Sequence, residues 1–142
     1  MRNVPSSIHQ TTKLTIPFHD VDAMEIVWHG HYVKYAEIAR HDLMKIFDYD
    51  YPQMVESGYA WPIIEFKMRY IRPSYYGMEL TIESSLKEYQ NRLWIDYLMK
   101  NPDGQKVCKG YSVQVAVDVK SREMCLATPK VLTDLIEARL SV

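Results

Sequence analysis

Between Phe18 and Tyr32 the chain reads Phe-His-Asp-Val-Asp-Ala-Met-Glu-Ile-Val-Trp-His-Gly-His-Tyr. The carboxylates of Asp20, Asp22 and Glu25 share this segment with His19, His29 and His31. The segment ends where a helical pattern begins, and a helix start carries backbone N–H groups without intrahelical acceptors. A carboxylate a few residues upstream of such donors could act on a carbonyl whose oxygen they hold. That combination of a base or nucleophile with oxyanion donors is what acyl transfer requires. The same residues also support quieter readings. Asp20 or Asp22 can order the loop through an Asx turn. His29-Gly30-His31 is a poor zinc site, because structural and catalytic zinc takes three or four ligands and neither H-E-x-x-H nor paired cysteines occur. Glu37 and Arg40, three residues apart, read most simply as a surface ion pair.

Other chemistries lack their signatures. No Gly-x-Ser-x-Gly elbow is present, and Cys108 and Cys125 sit in no catalytic motif. The five glycines are isolated, so no glycine-rich phosphate loop is expected, and no cofactor is implied.

The elements that must position this segment follow from periodicity. Leu14, Ile16 and Phe18 alternate, which predicts a strand over 11–18. Tyr32, Tyr35, Ala36, Ala39, Leu43, Ile46 and Phe47 recur at steps of three and four, which predicts a four-turn amphipathic helix with those residues inward. Pro52 limits its extension, and Gly58 marks the end of a short second helix. Further strands are expected over 62–72, with Ile64, Phe66, Met68 and Tyr70 on one face, and through Leu80, Ile82 and Leu86. Another runs through Leu93, Ile95, Tyr97 and Met99, followed by an Asn101-Pro102-Asp103-Gly104 turn. A last strand carries Tyr111, Val113, Val115, Val117 and Val119 on one side. Thr128-Pro129 reads as the N-cap and first residue of a terminal helix through Leu132, Leu135 and Ile136. The order is that of an α+β fold: one central helix against a curved antiparallel sheet.

Composition sets the outer bounds. A chain of 142 residues fits a single domain spanning 1–142. It is long enough to bury roughly two-thirds of its unfolded surface without a disulfide or metal. The 17 basic and 18 acidic residues leave a net charge of −1, which argues against a nucleic-acid binder. No apolar run approaches the roughly 20 residues of a membrane span, and Met1 to Lys13 has no signal-like apolar core. With two cysteines, a cytoplasmic location is the simplest expectation. The 11 tyrosines are the unusual count. They give this small domain an unusual share of amphipathic rings.

The loop residues resemble the hotdog-fold thioesterases of the 4-hydroxybenzoyl-CoA thioesterase type, including the short acyl-CoA thioesterases of bacterial envelope operons. Asp22, Ile26, Val27, Trp28 and Tyr32 fit the family pattern, and Tyr70-Ile71-Arg72-Pro73 with Gly77 resembles a later family crossing. The resemblance implies a helix wrapped by sheet, a homodimer or homotetramer, and a thioester pocket at the subunit boundary. It implies Asp22 as the catalytic carboxylate, as nucleophile or base. The His29 N–H would polarise the carbonyl, and the His29 side chain would support substrate or water. Ile26, Val27, Trp28, Gly30 and Tyr32 would line the substrate, and Asp20 would order the loop.

Two positions depart from the pattern. Glu25 stands where the family has glycine, which suggests an altered loop path. Near residues 88–92, where the aromatic-acid member grips the CoA phosphates, only Arg92 keeps the basic charge. A weak phosphate grip would suit an acyl carrier protein as well as CoA. The Trp-His-Gly-His-Tyr run and Gly-Tyr-Ala-Trp-Pro near 58–62 are similar to thioesterases of aryl-polyene and related carrier pathways. Two alternatives remain: a hotdog 3-hydroxyacyl dehydratase using Glu37 or His41, and a noncatalytic acyl-binding subunit.

Overall fold

The structure is a computed structural model and describes residues 8–140. Strand β1 (His9–Thr15) leads through a 3-10 turn (Phe18–Asp20) and the histidine-rich loop into helix α1 (His31–Lys45). A short helix α2 (Tyr51–Ser57) and strand β2 (Tyr59–Ala60) follow. Then come β3 (Ile63–Tyr70), β4 (Glu79–Glu88), β5 (Leu93–Lys100), β6 (Lys106–Gln114), β7 (Val117–Asp118) and α3 (Lys130–Leu140). Five strands form one antiparallel sheet in the order β1-β4-β5-β6-β3, and β2 pairs with β7 separately.

The inward face of α1 is the one its periodicity predicts. Tyr32, Tyr35, Ala36, Ala39, Leu43 and Phe47 are buried, joined by Met44, while Ile46 is half-buried. The alanines let the helix lie close to the sheet, whose inner rows are Leu80, Ile82 and Leu86 on β4 and Leu93, Ile95, Tyr97 and Met99 on β5. Alternation along β4 and β5 is strict, as expected of a sheet with one face on the core. Helix α3 adds Leu132 and Ile136.

Several boundaries differ from the sequence expectation. β1 closes at Thr15, Ile16 is buried, and Phe18 is largely exposed in the 3-10 turn. β6 stops at Gln114: residues 112–116 are all buried, so alternation ends before Val117, and Val119 faces solvent. On β3 only Phe66 and Met68 are half-buried, and Ile64 and Tyr70 are exposed. This strand is a sheet edge, and alternation there meets no packing partner within the chain. Thr128 precedes α3, but its buried hydroxyl makes no capping hydrogen bond.

Coiling of the sheet around α1 brings β3 and β6 very close at Gly110. A Cβ there would lie 1.9 Å from the Lys67 carbonyl oxygen and 2.7 Å from the Met68 sulfur. A backbone atom cannot move aside as a side-chain tip can. Gly110→Ala should therefore destabilise the fold by roughly 1–3 kcal/mol, as overpacked cores do. Urea unfolding of the two proteins checks this, with the midpoint falling and the slope unchanged.

Candidate active site

The loop entering α1 is built on Asp20. Its carboxylate is buried and accepts two hydrogen bonds from Lys34 Nζ, at 2.8 and 2.9 Å, and one from the Tyr35 hydroxyl at 2.7 Å. His31 Nδ1 stands 3.8 Å away. The Trp28 N–H donates to the Asp20 carbonyl at 3.2 Å, so the residue grips both ends of the loop. Burial alone would raise the Asp20 pKa. Hydrogen bonds from Lys34 and Tyr35, with the charges of His31 and Lys34, outweigh burial and hold it below the ordinary carboxylate value. Burial, followed by the adjoining Asp20, pushes Tyr35 far up, so its hydroxyl stays a proton donor.

Between these anchors the loop folds as a small hairpin. Val21 bridges Val27, the Asp22 N–H donates to Ile26 at 2.9 Å, and the Glu25 N–H donates to the Asp22 carbonyl at 2.9 Å. Glu25 has φ 64°, the left-handed conformation that glycine adopts without cost. The charged residue takes up the glycine geometry, and its side chain is exposed. Asp22 sits at the exposed tip. Its Oδ1 accepts from the Met24 N–H at 2.8 Å, an Asx turn, while Oδ2 has no hydrogen-bond partner among the described residues.

The second half of the loop is pinned to residues 74–75. The Val27 N–H donates to the Ser74 carbonyl at 2.9 Å, and Ile26 bridges Tyr75. Ser74 is fully buried, and its hydroxyl accepts from Tyr32 at 2.9 Å. Tyr70 completes an aromatic layer, 5.8 Å from the His29 ring and 5.5 Å from Tyr32. Burial raises the pKa of both tyrosines, so these hydroxyls are neutral. Trp28 lies half-exposed against His29 and His31, its ring folded over the helix start. A Cβ on Gly30 would come within 2.2 Å of that indole, which gives the glycine a steric reason.

The His31 and Tyr32 N–H groups bond back to Trp28 and His29. Those of His29 and Gly30 engage no acceptor among the described residues. An open pair of donors thus stands at the N-terminus of α1, a few residues from a carboxylate with one free oxygen. Asp22, Ile26, Val27, Trp28, His29, Gly30 and Tyr32 are gathered into one loop. Arg92 is not: it lies at the β4–β5 reversal, where its Nε bonds the buried Glu88 carboxylate at 2.8 Å and its guanidinium covers Trp94. Sequence reasoning did not single out Ser74, Lys34 or Tyr35 as parts of this assembly. Only the Tyr70–Gly77 resemblance pointed toward that stretch of chain.

A second feature lies farther along α1. A cavity of about 510 Å³ is bounded by α1, α2 and β2, with Met44, Met54, Trp61 and Gln114 among its walls. Arg40 Nη1 is buried there without an acceptor among the described residues, so the expected Glu37 pairing is not made. His41 is bonded to Asp50, the residue that caps α2. Arg40 lies nine residues beyond His31, about 14 Å at 1.5 Å per residue, so this cavity is remote from the loop of its own chain. Burial raises the Cys108 thiol to about 12, which keeps it protonated and unreactive. No metal-ligand cluster occurs among the described residues.

The family model of the thioesterase-like superfamily matches residues 16–135, from the end of β1 into α3. The chain belongs to that superfamily. Thioesterase-like relatives include YneP of Bacillus subtilis (strain 168), a protein inferred to be an acyl-CoA thioesterase, 26% identical over 110 residues, which are 77% of this chain and 80% of the relative. Among solved structures, a DHNA-CoA thioesterase from Staphylococcus aureus superposes with a TM-score of 0.84 at 19% identity, covering 94% of this chain and 89% of its own. A 4-hydroxybenzoyl-CoA thioesterase, solved as an Asp-to-Asn variant with 4-hydroxybenzoyl-CoA, gives 0.75 at 22% identity, covering 89% and 97%. The thioesterase-like fold is thus the hotdog: α1 wrapped by the five-stranded sheet.

Because its folded pKa is depressed, Asp20 contributes stability fully above the unfolded aspartate value of about 3.9 and loses it as pH falls through the folded value. Asp20→Ala leaves the Tyr35 hydroxyl buried without its acceptor and should cost about 1–3 kcal/mol at pH 7. The gap from wild type should narrow at pH 3, as urea titrations at the two pH values would record.

Proposed function

We propose that the protein hydrolyses acyl thioesters to a free acid and a thiol, with Asp22 as the reacting carboxylate. One observation carries this reading: a single short loop holds both the open His29 and Gly30 N–H donors at the start of α1 and a carboxylate whose Oδ2 is unengaged among the described residues. The donors would hold the thioester oxygen as negative charge develops on it. As a nucleophile, Asp22 would form a mixed anhydride and expel the thiolate, which takes a proton from water; a second water would then open the anhydride. As a base, Asp22 would take a proton from water as that water attacks the carbonyl, and the thiolate would leave with a proton.

His29, tilted against Trp28 and edge-on to Tyr70, would support substrate or water at the same place. Tyr32 and Val27 hold the loop through Ser74, while Ile26, Trp28 and Gly30 form its exposed wall. The names of the relatives favour acyl-CoA thioesters. The resemblance adds acyl carrier protein thioesters as the alternative substrate, and Arg92, whose Nε is bonded to Glu88, lies apart from the loop. The dehydratase alternative draws less support, since His41 is engaged by the α2 cap.

The acyl pocket is proposed to form between two copies. The β3 edge is long and exposes Ile63, Ile64 and Tyr70, an arrangement suited to pairing rather than to water. Antiparallel pairing of two β3 strands about a two-fold axis exchanges the ends of the α1 helices. The loop of one protomer then approaches the 510 Å³ cavity of its partner. Sedimentation at micromolar concentration should give a dimer or a multiple of it, and a monomer would overturn this part.

The chemical test is Asp22→Asn, assayed against acyl-CoA and acyl-carrier substrates. Hydrolysis should fall by about 10²–10⁴-fold, the range of a lost acid–base group, while acyl-ligand binding persists. Unchanged turnover would reject Asp22.

A further inference from the structure

Arg40 occupies a place on α1 that periodicity reserves for apolar residues. Ala36 and Met44, one turn before and one turn after it, share its row of the helix, and both are buried. Arg40 and Met44 line the cavity of about 510 Å³, opposite Met54 of α2 and Trp61. Arg40 is half-buried as a whole, but its Nη1 is shielded from water and engages no acceptor among the described residues. Its neighbour on the sheet is the Tyr97 hydroxyl, which burial keeps protonated despite the nearby cation. A neutral hydroxyl does not offset a buried charge.

Much of the remaining polar wall is already engaged. His41 is bonded to Asp50, the Gln114 amide donates to the Trp61 carbonyl at 2.8 Å, and the Trp61 indole N–H donates to the Tyr49 hydroxyl at 3.0 Å. Glu37 is exposed, and no carboxylate lies within 4.0 Å of Arg40 among the described residues. A shielded guanidinium without a counter-charge is costly, and the acceptor its planar fork fits best is a carboxylate. The cavity has the volume of a small-ligand site, with mainly apolar walls and one cation left over. A methylene chain ending in a carboxylate matches both features. A chain ending in a methyl group would desolvate the cation and give it no acceptor.

We propose that Arg40 selects the acyl group: the cavity takes a distal carboxylate, so the preferred substrates are half-thioesters of dicarboxylic acids. The assignment rests on the thioesterase reading and on the proposed dimer, and deepens them by naming a substrate class. Arg40 is a specificity-determining residue, remote from the reacting carbonyl. It fixes the far end of the acyl group, while the loop of the second copy acts at the near end. The favoured chain length is the one that spans from Arg40 to that loop.

Hydrolysis of matched acyl-CoA pairs by the full chain tests this: adipoyl against hexanoyl and suberoyl against octanoyl, with the ω-methyl ester of each dicarboxylic member as a neutral control. At the favoured length, wild-type kcat/KM for the ω-carboxyl substrate should exceed that for its methyl-terminated match by about ten- to a hundredfold, the range of a charge-assisted hydrogen bond. Esterification of the ω-carboxylate should abolish the advantage. Arg40→Met should erase or reverse the preference, and Arg40→Lys, which keeps the charge without the fork, should retain part of it. The thermal midpoint of Arg40→Met should hold or rise, since an apolar side chain removes the desolvation cost of an unpaired cation. If it falls instead, the wild-type comparison of acid, ester and methyl ends decides without any variant. Equal or better cleavage of the methyl-terminated substrates by wild type would overturn the proposal, as expected if an acid of the second copy neutralised Arg40. So would a preference that survives Arg40→Met. Calorimetry with free suberate reads the cavity without turnover. In a protein that cleaves no thioester, suberate binding weakened about tenfold or more by Arg40→Met would uphold the cavity and remove the hydrolase reading. No suberate binding in such a protein would overturn the proposal.

Discussion

The buried Asp20 carboxylate is the interaction on which the site depends. It lies just before the loop, yet its partners Lys34 and Tyr35 belong to the first turns of α1, and its carbonyl takes the Trp28 N–H. One residue therefore sets the distance between the end of β1 and the start of the helix, and the intervening residues have little freedom left. A buried carboxylate is tolerable only when fully hydrogen-bonded, and this one is bonded by a cation and a hydroxyl. Asp22, two residues on, has the opposite character: exposed, held through one oxygen and open at the other. Two aspartates in one short segment thus differ in environment: one holds the loop, and the other is the carboxylate proposed to react.

Backbone geometry near Asp22 is under tension. Glu25 occupies a left-handed conformation that costs a non-glycine residue about 1–2 kcal/mol, and the His29 and Gly30 donors engage no acceptor among the described residues. Both costs are carried by surrounding contacts: the Val21–Val27 bridge, the Ser74 carbonyl and hydroxyl, and the Tyr32–Tyr70 layer. Strain of this kind survives where neighbouring structure over-determines it, and it gathers at functional sites.

In the proposed dimer, a second copy completes the enclosure around the loop. The chain's cavity of about 510 Å³ lies farther along α1, with its Arg40 wall about 14 Å from the chain's own loop, and the sheet ends at β3 with isoleucines facing outward. Both facts point outward from the protomer, and the abundance of tyrosine fits the same picture. Tyr32, Tyr35, Tyr49 and Tyr97 are buried and hydrogen-bonded, whereas Tyr51, Tyr70, Tyr75 and Tyr76 are exposed around the loop and α2.

Residue order alone determined the helix and the inner sheet rows, because a 3.6-residue or two-residue apolar period encodes which face is buried. It also determined that the chemistry-bearing residues fall in one strand-to-helix connection. It did not reveal β3 as an edge, since Ile64 and Tyr70 alternate as a buried row would, and only strand order shows that nothing covers them. Nor did it reveal the conformation of Glu25, which takes a left-handed φ of 64° within the Val21–Val27 hairpin. Ser74 and Arg92 were likewise beyond reach, because their roles rest on partners brought together by tertiary contact. Ser74 meets Tyr32 across 42 positions of chain, and Arg92 Nε meets Glu88 at the β4–β5 reversal, apart from the loop. Local pattern decides which way a side chain faces, and tertiary structure decides what it finds there.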